Sequence, residues 1–171
     1  FDKGQHEQAE THARQALTIY RQRGTSGQPM LSALLTLQRI LHGSKQYSEM
    51  EQIMEAANLV IASYPDNTFA EFATITHTLA DTRIEQSRYA DAELLARRAV
   101  EMHRRLRASE HPQTAWALFT LGLALRSQQK LSEAEGSFQE ALQIFSKYFS
   151  QDHKSIEFTK RELDGVLAAA G

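Results

Sequence analysis

The sequence contains no cysteine, and only 3 prolines and 8 glycines occur among its 171 residues. Without cysteine the chain has neither a disulfide framework nor the thiolate ligands of most structural zinc sites. This number of turn-forming residues is too small for an all-β protein with many tight turns. No apolar run approaches the ~18 residues that a membrane-spanning helix needs. These absences favour a helical protein that has no membrane partner.

An excess of basic charge is also missing, because 19 Lys and Arg residues stand against 21 Asp and Glu residues and the net charge is −2. A nucleic-acid-binding protein usually carries a basic excess, so we predict no nucleic-acid partner. One basic cluster occurs, and its members are Arg97, Arg98, Arg104, Arg105 and Arg107. Since glutamates are interspersed among these arginines, a solvated outer face is favoured over a patch for an acidic partner.

The chain does have a strict period of 42 residues, which Leu37, Leu79, Leu121 and Leu163 follow without a slip. The same step relates Thr36, Thr78 and Thr120, and Glu51, Glu93 and Glu135, and Ala57, Ala99 and Ala141. A fixed period of this size is typical of a repeat array, in which each unit buries its apolar face against the next. The sequence therefore favours a binding function over a catalytic one.

Aligning the leucines divides the chain into the units of a single repeat domain. Residues 1–26 form the second half of a repeat, 27–68, 69–110 and 111–152 form full repeats, and 153–171 form a truncated repeat or capping helix. The chain opens at Phe1 without a start methionine and inside a repeat, so we expect a fragment of a larger protein. The compartment stays open, with the cytoplasm favoured.

Each full repeat has the pattern of two helices. In 111–152, Leu118, Leu121 and Leu125 recur at helical spacing, and a second stripe follows a polar break. The second stripe consists of Leu131, Ala134, Phe138, Ala141, Leu142 and Phe145. Pro112 suits a first helical turn, and Ser132 with Glu135 has the spacing of a capping box. Because the break between the stripes is short, the two helices are predicted to be antiparallel.

The pattern Leu118-x-x-Leu121-Gly122-x-x-Leu125, then Leu131-x-x-Ala134-Glu135-x-x-Phe138-x-x-Ala141-Leu142, resembles a tetratricopeptide repeat. The 42-residue step exceeds the usual ~34 residues of that family. With His111-Pro112 opening a repeat, it is similar to the long kinesin-light-chain-like variety, which is also common in large bacterial signalling proteins. The resemblance implies an all-α, right-handed solenoid of antiparallel helix pairs.

In the family that the chain resembles, the first helices of the repeats line a concave groove. Carried over position by position, the predicted groove residues are Arg39, His42, Thr74, His77, Asp81, Trp116, Phe119, Leu123 and Arg126. Aromatic and arginine side chains are typical anchors of protein interfaces. The alternative for Trp116 and Phe119 is that they pack against the helix after His153 and belong to the core.

No catalytic or metal-binding pattern accompanies the repeats. Two histidine ligands on one helix face need a spacing of about three or four residues, whereas His6 and His12 are six apart. His111 and His153 recur because they open repeats, which favours a capping or solvated role. The sequence has no Gly-rich phosphate loop, GxSxG or HExxH motif. We therefore predict no enzyme activity, no cofactor and no metal.

The resemblance implies protein–protein interaction, with a peptide or a helix of a partner received in the groove. The alternative is a ligand- or peptide-sensing regulatory domain of a multidomain signalling protein, which would have a closed groove with buried polar groups. A second kind of contact is also expected at the N-terminal end. There the apolar face of Ala9, Ala13, Ala16 and Leu17 lacks its first-helix partner, which predicts weak self-association.

Overall fold

The part of the chain that the structure describes consists of helices joined by short connections. The computed structural model describes residues 3–24, 26–44, 46–62, 70–107 and 110–170. Within these ranges there are eight helices and no strand: α1 Lys3–Gln22, α2 Gln28–Gly43, α3 Tyr47–Ala62, α4 Ala70–Glu85, α5 Tyr89–Arg107, α6 Pro112–Ser127, α7 Leu131–Tyr148 and α8 Lys154–Ala170. The predicted all-α fold class is confirmed, and each predicted full repeat holds two of these helices.

The helices form two compact units, Phe1–Ile75 and Thr76–Gly171, and the boundary falls within α4. In the first unit α1 packs against α2, and α2 packs against α3. In the second unit α5 packs against α6, α6 against α7 and α7 against α8. Within each unit, helices that follow one another in the chain thus pack together, as expected for a repeat array whose contacts are mostly local.

The core of the second unit has two layers. The first core layer consists of Ala99, Val100, Ala115, Ala117, Leu118, Ala141, Ile144, Phe145 and Ile156. The second core layer consists of Ala80, Ala96, Leu121, Leu125, Ala134, Phe138 and Val166. The first layer joins the later part of α5 to the start of α6, and the second joins the earlier part of α5 to the end of α6. This alternation shows that the neighbouring helices are antiparallel.

In the first unit, α1 is held to its neighbours by apolar packing and by charge. Ala13 and Leu17 are buried, whereas Ile19 is exposed. Arg14 forms ion pairs with Glu10 on its own helix and with Glu49 on α3. The hydrogen bond with Glu49, more than that with Glu10, raises the pKa of the Arg14 guanidinium above its ordinary value. Part of the face expected to be uncovered is therefore packed, and self-association through this end stays a prediction.

The helix starts agree with the sequence at α6 and differ at α7. Helix α6 begins at Pro112, as predicted. The N–H of a residue in the first turn has no acceptor within the helix, so proline, which lacks this N–H, loses no hydrogen bond there. Helix α7 begins at Leu131, so Ser132 lies within the helix and the predicted Ser132–Glu135 capping box is wrong. The residue before α7 is Lys130, whose side chain forms no capping hydrogen bond. The spacing of a serine and a glutamate is compatible with a capping box, but it does not determine which residue is the N-cap of the helix.

Replacing Ala134 with phenylalanine is expected to lower the free energy of unfolding by about 1–3 kcal/mol, as overpacking of a filled core does. Ala134 is completely buried in the second core layer beside other small residues. The matched control is Gln143→Phe on the same helix, where the side chain is exposed and the expected change is within about 0.5 kcal/mol. Urea unfolding of both variants measures the difference, and an unchanged midpoint for Ala134→Phe would contradict the prediction.

Candidate partner-binding surface

Helix α6 carries three apolar side chains of the predicted groove, and they differ in burial. Trp116 is 36% exposed, while Phe119 and Leu123 are partly buried against the core layers. The Trp116 ring meets Phe145 edge-on at a centroid distance of 4.9 Å and Phe119 at 6.0 Å. Trp116 is thus neither free on the surface nor enclosed in the core, because one side rests on the buried Phe145 and the partly buried Phe119 and the other faces outward.

A cleft of about 560 Å³ opens beside Trp116. Its lining residues are Trp116, Ser150, Asp152, His153, Lys154, Ser155 and Phe158, which come from α6, the α7–α8 connection and the start of α8. Phe158 is 42% exposed, so two large aromatic side chains meet solvent around one cleft. We name this feature the aromatic cleft. A cleft with aromatic walls and a few charged groups fits one large apolar side chain of a partner.

Phe158 is a candidate site residue that the predicted groove did not include. It lies 42 residues after Trp116, which is one period of the repeat, and therefore at the same position of its helix. The predicted groove comprises positions of the full repeats only, whereas Phe158 belongs to the truncated repeat 153–171. The 42-residue period is the sequence signal that identifies it.

His77 and Asp81 of α4 are joined to α6 through Thr120. The Thr120 hydroxyl donates to Asp81 Oδ1 at 2.7 Å, so its oxygen accepts from His77 Nε2 at 2.9 Å. His77 Nε2 also lies 3.5 Å from Asp81 Oδ2. A hydroxyl has one proton, and Thr120 donates it to Asp81. The hydrogen in the contact between Thr120 and His77 must therefore be carried by His77 Nε2. Two of the predicted groove residues are thus brought together by a buried threonine that was not predicted.

The remaining predicted groove residues have separate surroundings. Arg126 of α6 forms an ion pair with Glu162 of α8, so its charge is already partnered within the second unit. Thr74 is partly buried on α4, and Arg39 is exposed on α2. The backbone of His42 lies in α2, while its side chain is outside the described residues. The placement of Arg39, His42 and Thr74 in a binding site stays a prediction.

Three arginines of the basic cluster on α5, Arg97, Arg104 and Arg105, form exposed ion pairs with glutamates. Arg97 contacts Glu133 of α7 at 2.5 Å and Glu93 of its own helix at 2.8 Å. Partial burial disfavours the charge on Glu93, but hydrogen bonds from Lys130, Arg97 and Gln128 outweigh it and lower the pKa of its carboxyl group. Arg97 is held mainly by Glu133, which raises the pKa of its guanidinium. This outer face is therefore a network of opposite charges.

A second cleft, of about 590 Å³, lies along this network between α5 and α7. Its walls include Arg97, Arg104, Glu133 and Glu140, and its floor is formed by leucines of α6. Arg104 pairs with Glu140 across the cleft at 2.5 Å, as Arg97 does with Glu133. A partner entering here would have to displace these ion pairs before it reached the apolar floor, so the aromatic cleft is the better candidate.

Two kinds of site are absent from the part of the chain that the structure describes, a metal-ligand cluster and a membrane-spanning helix. Among the described residues, no three His, Cys, Asp or Glu side chains lie close enough together to hold a metal ion. The described helices also include none that combines the length and the apolar character of a membrane span.

Three solved structures resemble the whole chain. BtubC (BKLC) from P. vanneervenii has a TM-score of 0.84 at 21% identity, covering 99% of this chain and 68% of its own. The nearly identical TPR-like repeats of a protein described as a kinesin light chain in Podosopora anserina have a TM-score of 0.78 at 21% identity. A variant of the same protein with one substitution has a TM-score of 0.79 at 22% identity, and both cover 98% of this chain and 80% of their own. At these identities the likeness establishes the fold alone.

The family comparison agrees with the fold. The tetratricopeptide repeat model matches residues 71–147, which hold α5, α6 and most of α4 and α7. No curated protein sequence matches the chain significantly. Repeats of this family are generally protein–protein interaction modules and typically serve as non-enzymatic scaffolds. The helices, the buried small residues at their crossings and the family match lead to one conclusion: residues 71–147 match tetratricopeptide repeats, and the chain has the fold of solved TPR-like repeat structures.

Proposed function

We propose that this chain binds a peptide or a helix of a protein partner in its groove, with the aromatic cleft as the centre of the contact. The observation that carries the proposal is the pair of outward-facing aromatic side chains, Trp116 and Phe158, at the same position of neighbouring helices α6 and α8. Exposed aromatic side chains that rest on a rigid base are the residues that dominate interface energies. Phe145, which lies beneath Trp116 and is completely buried, supplies that base.

The charges around the cleft balance one another, which favours a partner that binds through an apolar side chain. Asp152 and Lys154 both line the cleft and have opposite signs, so neither sign of partner is strongly attracted. A neutral rim gives specificity mainly through shape and apolar contact. Farther along the second unit, His77 and Asp81 of α4 offer polar groups for the backbone of an extended partner. We restrict the proposal to the second unit, where these residues lie.

The alternative, a ligand-sensing domain with a closed groove, receives less support from the geometry. The two aromatic side chains of the cleft face solvent, whereas a small-molecule site usually encloses most of its ligand. An open apolar cleft is better matched to one side chain of a larger partner.

Binding to a displayed library of random peptides tests the proposal. Peptides selected on the chain are expected to lose about 2 kcal/mol, or about 30-fold in affinity, when Trp116 is replaced by alanine. Phe158→Ala is expected to weaken the same peptides. The matched control is Leu94→Ala on α5, whose side chain is 72% exposed outside the cleft and should leave the affinities unchanged.

The stability of Trp116→Ala must be measured beside its binding. Since Trp116 is partly buried, we expect a loss of about 1–2 kcal/mol, between the values for surface and core truncations. A variant that remains folded and binds the selected peptides as tightly as the parent chain would contradict the proposed site. Selection of no peptide at all from the library would contradict the proposed function.

A further inference from the structure

Two histidines cap the helices that carry the aromatic cleft. His111 precedes α6 with an extended backbone (φ −75°, ψ 143°), and its Nδ1 accepts a hydrogen bond from the amide of Gln113 at 3.2 Å. His153 precedes α8, and its Nδ1 accepts from the amide of Ser155 at the same distance of 3.2 Å. The two histidines are one repeat apart, and each bonds the second residue after it. The same cap is therefore built twice.

A cap of this kind requires the neutral imidazole. Nδ1 accepts a hydrogen bond only while it carries no proton, so the ring must hold its single hydrogen on Nε2. Protonation turns Nδ1 into a donor that faces another donor, the backbone N–H. It also places a positive charge at the positive end of the helix dipole. Histidine is the side chain that gains this proton in the range of about pH 5–8.

We propose that His111 and His153 are a pair of pH-sensitive helix caps, which hold the first turns of α6 and α8 at neutral pH and release them in mildly acidic solution. Trp116 and Phe158 each lie just beyond the first turn that such a cap holds, and His153 itself lines the aromatic cleft. The cleft is therefore ordered at neutral pH and loosened on acidification. The inference concerns the caps and holds whether or not the cleft binds a peptide.

The charged neighbours of the caps do not remove this dependence. Glu110 precedes His111, and its charge is paired with Lys147 of α7 at 2.5 Å. Asp152 and Lys154 flank His153, with opposite charges. A hydrogen bond with Ser150 is the main interaction that lowers the pKa of the Asp152 carboxyl group, so Asp152 carries its negative charge throughout the range in which histidines change protonation state. None of these charges can replace Nδ1 of His153 as the acceptor for the Ser155 amide, so protonation still breaks the cap.

The His153 ring also stacks flat on Phe149, and this contact, unlike the capping hydrogen bond, does not require a neutral imidazole. The ring centroids are 4.1 Å apart and the planes differ by 8°, so the ring is held parallel to the phenyl face. A cationic imidazole is still attracted to an aromatic face. The ring is therefore expected to keep its place when the hydrogen bond to Ser155 is lost, which makes the cap itself the sensitive element.

Amide hydrogen exchange of the unaltered chain is the direct test. The protection of the Gln113 and Ser155 amides, corrected for the intrinsic pH dependence of exchange, is expected to fall about fivefold between about pH 7.5 and pH 5.5. Amides of α7 are the internal control, because the residue before α7 forms no side-chain cap. Equal protection of Gln113 and Ser155 at both pH values would overturn the proposal.

A double substitution, His111→Asn with His153→Asn, gives the second test. Asparagine accepts the same capping bond and does not titrate in this range. Between these pH values the melting temperature of the parent chain is expected to fall by about 5 °C more than that of the double variant. His12→Asn, at an exposed position on α1, is the control and should keep the parental pH dependence. A double variant with the parental pH dependence would also overturn the proposal, and the exchange measurement decides alone if the variant does not fold.

Discussion

Replacing Phe145 with alanine is expected to lower the free energy of unfolding by about 3–5 kcal/mol, which is the cost of truncating a buried phenylalanine. Phe145 is completely buried in the first core layer, where α6, α7 and α8 meet. Its ring contacts Trp116 at 4.9 Å and Phe149 at 5.9 Å. The neighbouring helices are held by other contacts, so they cannot collapse fully into the space and a cavity remains.

The matched control for Phe145→Ala is Leu94→Ala, which removes an apolar side chain from an exposed position of α5 and should change stability by less than about 0.5 kcal/mol. Urea unfolding measures both. Since Trp116 is the chain's one tryptophan and contacts Phe145, its fluorescence also reports on the removal of the Phe145 ring. A stability loss for Phe145→Ala no greater than that of Leu94→Ala would contradict the packing described above.

Replacing Gly122 with alanine is expected to destabilise the chain by about 1–3 kcal/mol, although alanine is the better helix former. A Cβ atom at this position would lie 2.6 Å from Cε1 and 2.8 Å from Cδ1 of Phe138. Phe138 is completely buried and packs against Phe119 with a centroid distance of 5.6 Å, so its ring cannot move aside without disturbing the second core layer. Helices α6 and α7 would have to separate.

Gly136→Ala on α7 is the control with the opposite expected sign. A Cβ atom there would meet nothing within 4 Å, and the residue is exposed. The gain in helix propensity should therefore stabilise the chain by about 0.5–1 kcal/mol. Thermal melts of the two variants should move in opposite directions. A Gly122→Ala variant that melts at or above the parent temperature would mean that Gly122 does not set the approach of α6 and α7.

The repeat period and the helices could be predicted from the sequence because both are properties of residues that are near in the chain or regularly spaced along it. The stripe of Leu118, Leu121 and Leu125 is buried as its helical spacing indicates. Ala134, which belongs to the second predicted stripe, is likewise buried, at a helix crossing. The start of α6 at Pro112 follows from the chemistry of one residue.

The candidate site could be predicted only in outline. The family resemblance implied that Trp116 lies on the groove side of α6 and left open whether it belongs to the core, because a helical position defines a direction but not what lies in that direction. Phe145, from another helix, is what covers one side of the ring and leaves the other exposed. The link from His77 through Thr120 to Asp81 depends likewise on two helices that are distant in sequence.

The sequence by itself determined the all-α fold, the 42-residue period and the match of residues 71–147 to tetratricopeptide repeats, since these depend on which residue types recur at which spacing. Only the tertiary structure decided that Arg126 is paired with Glu162, that the ring of Phe138 lies over Gly122 and that Trp116 and Phe158 share a cleft. Such contacts depend on how closely helices approach and at what angle. That geometry results from the packing of many side chains at once, and no single spacing in the chain encodes it.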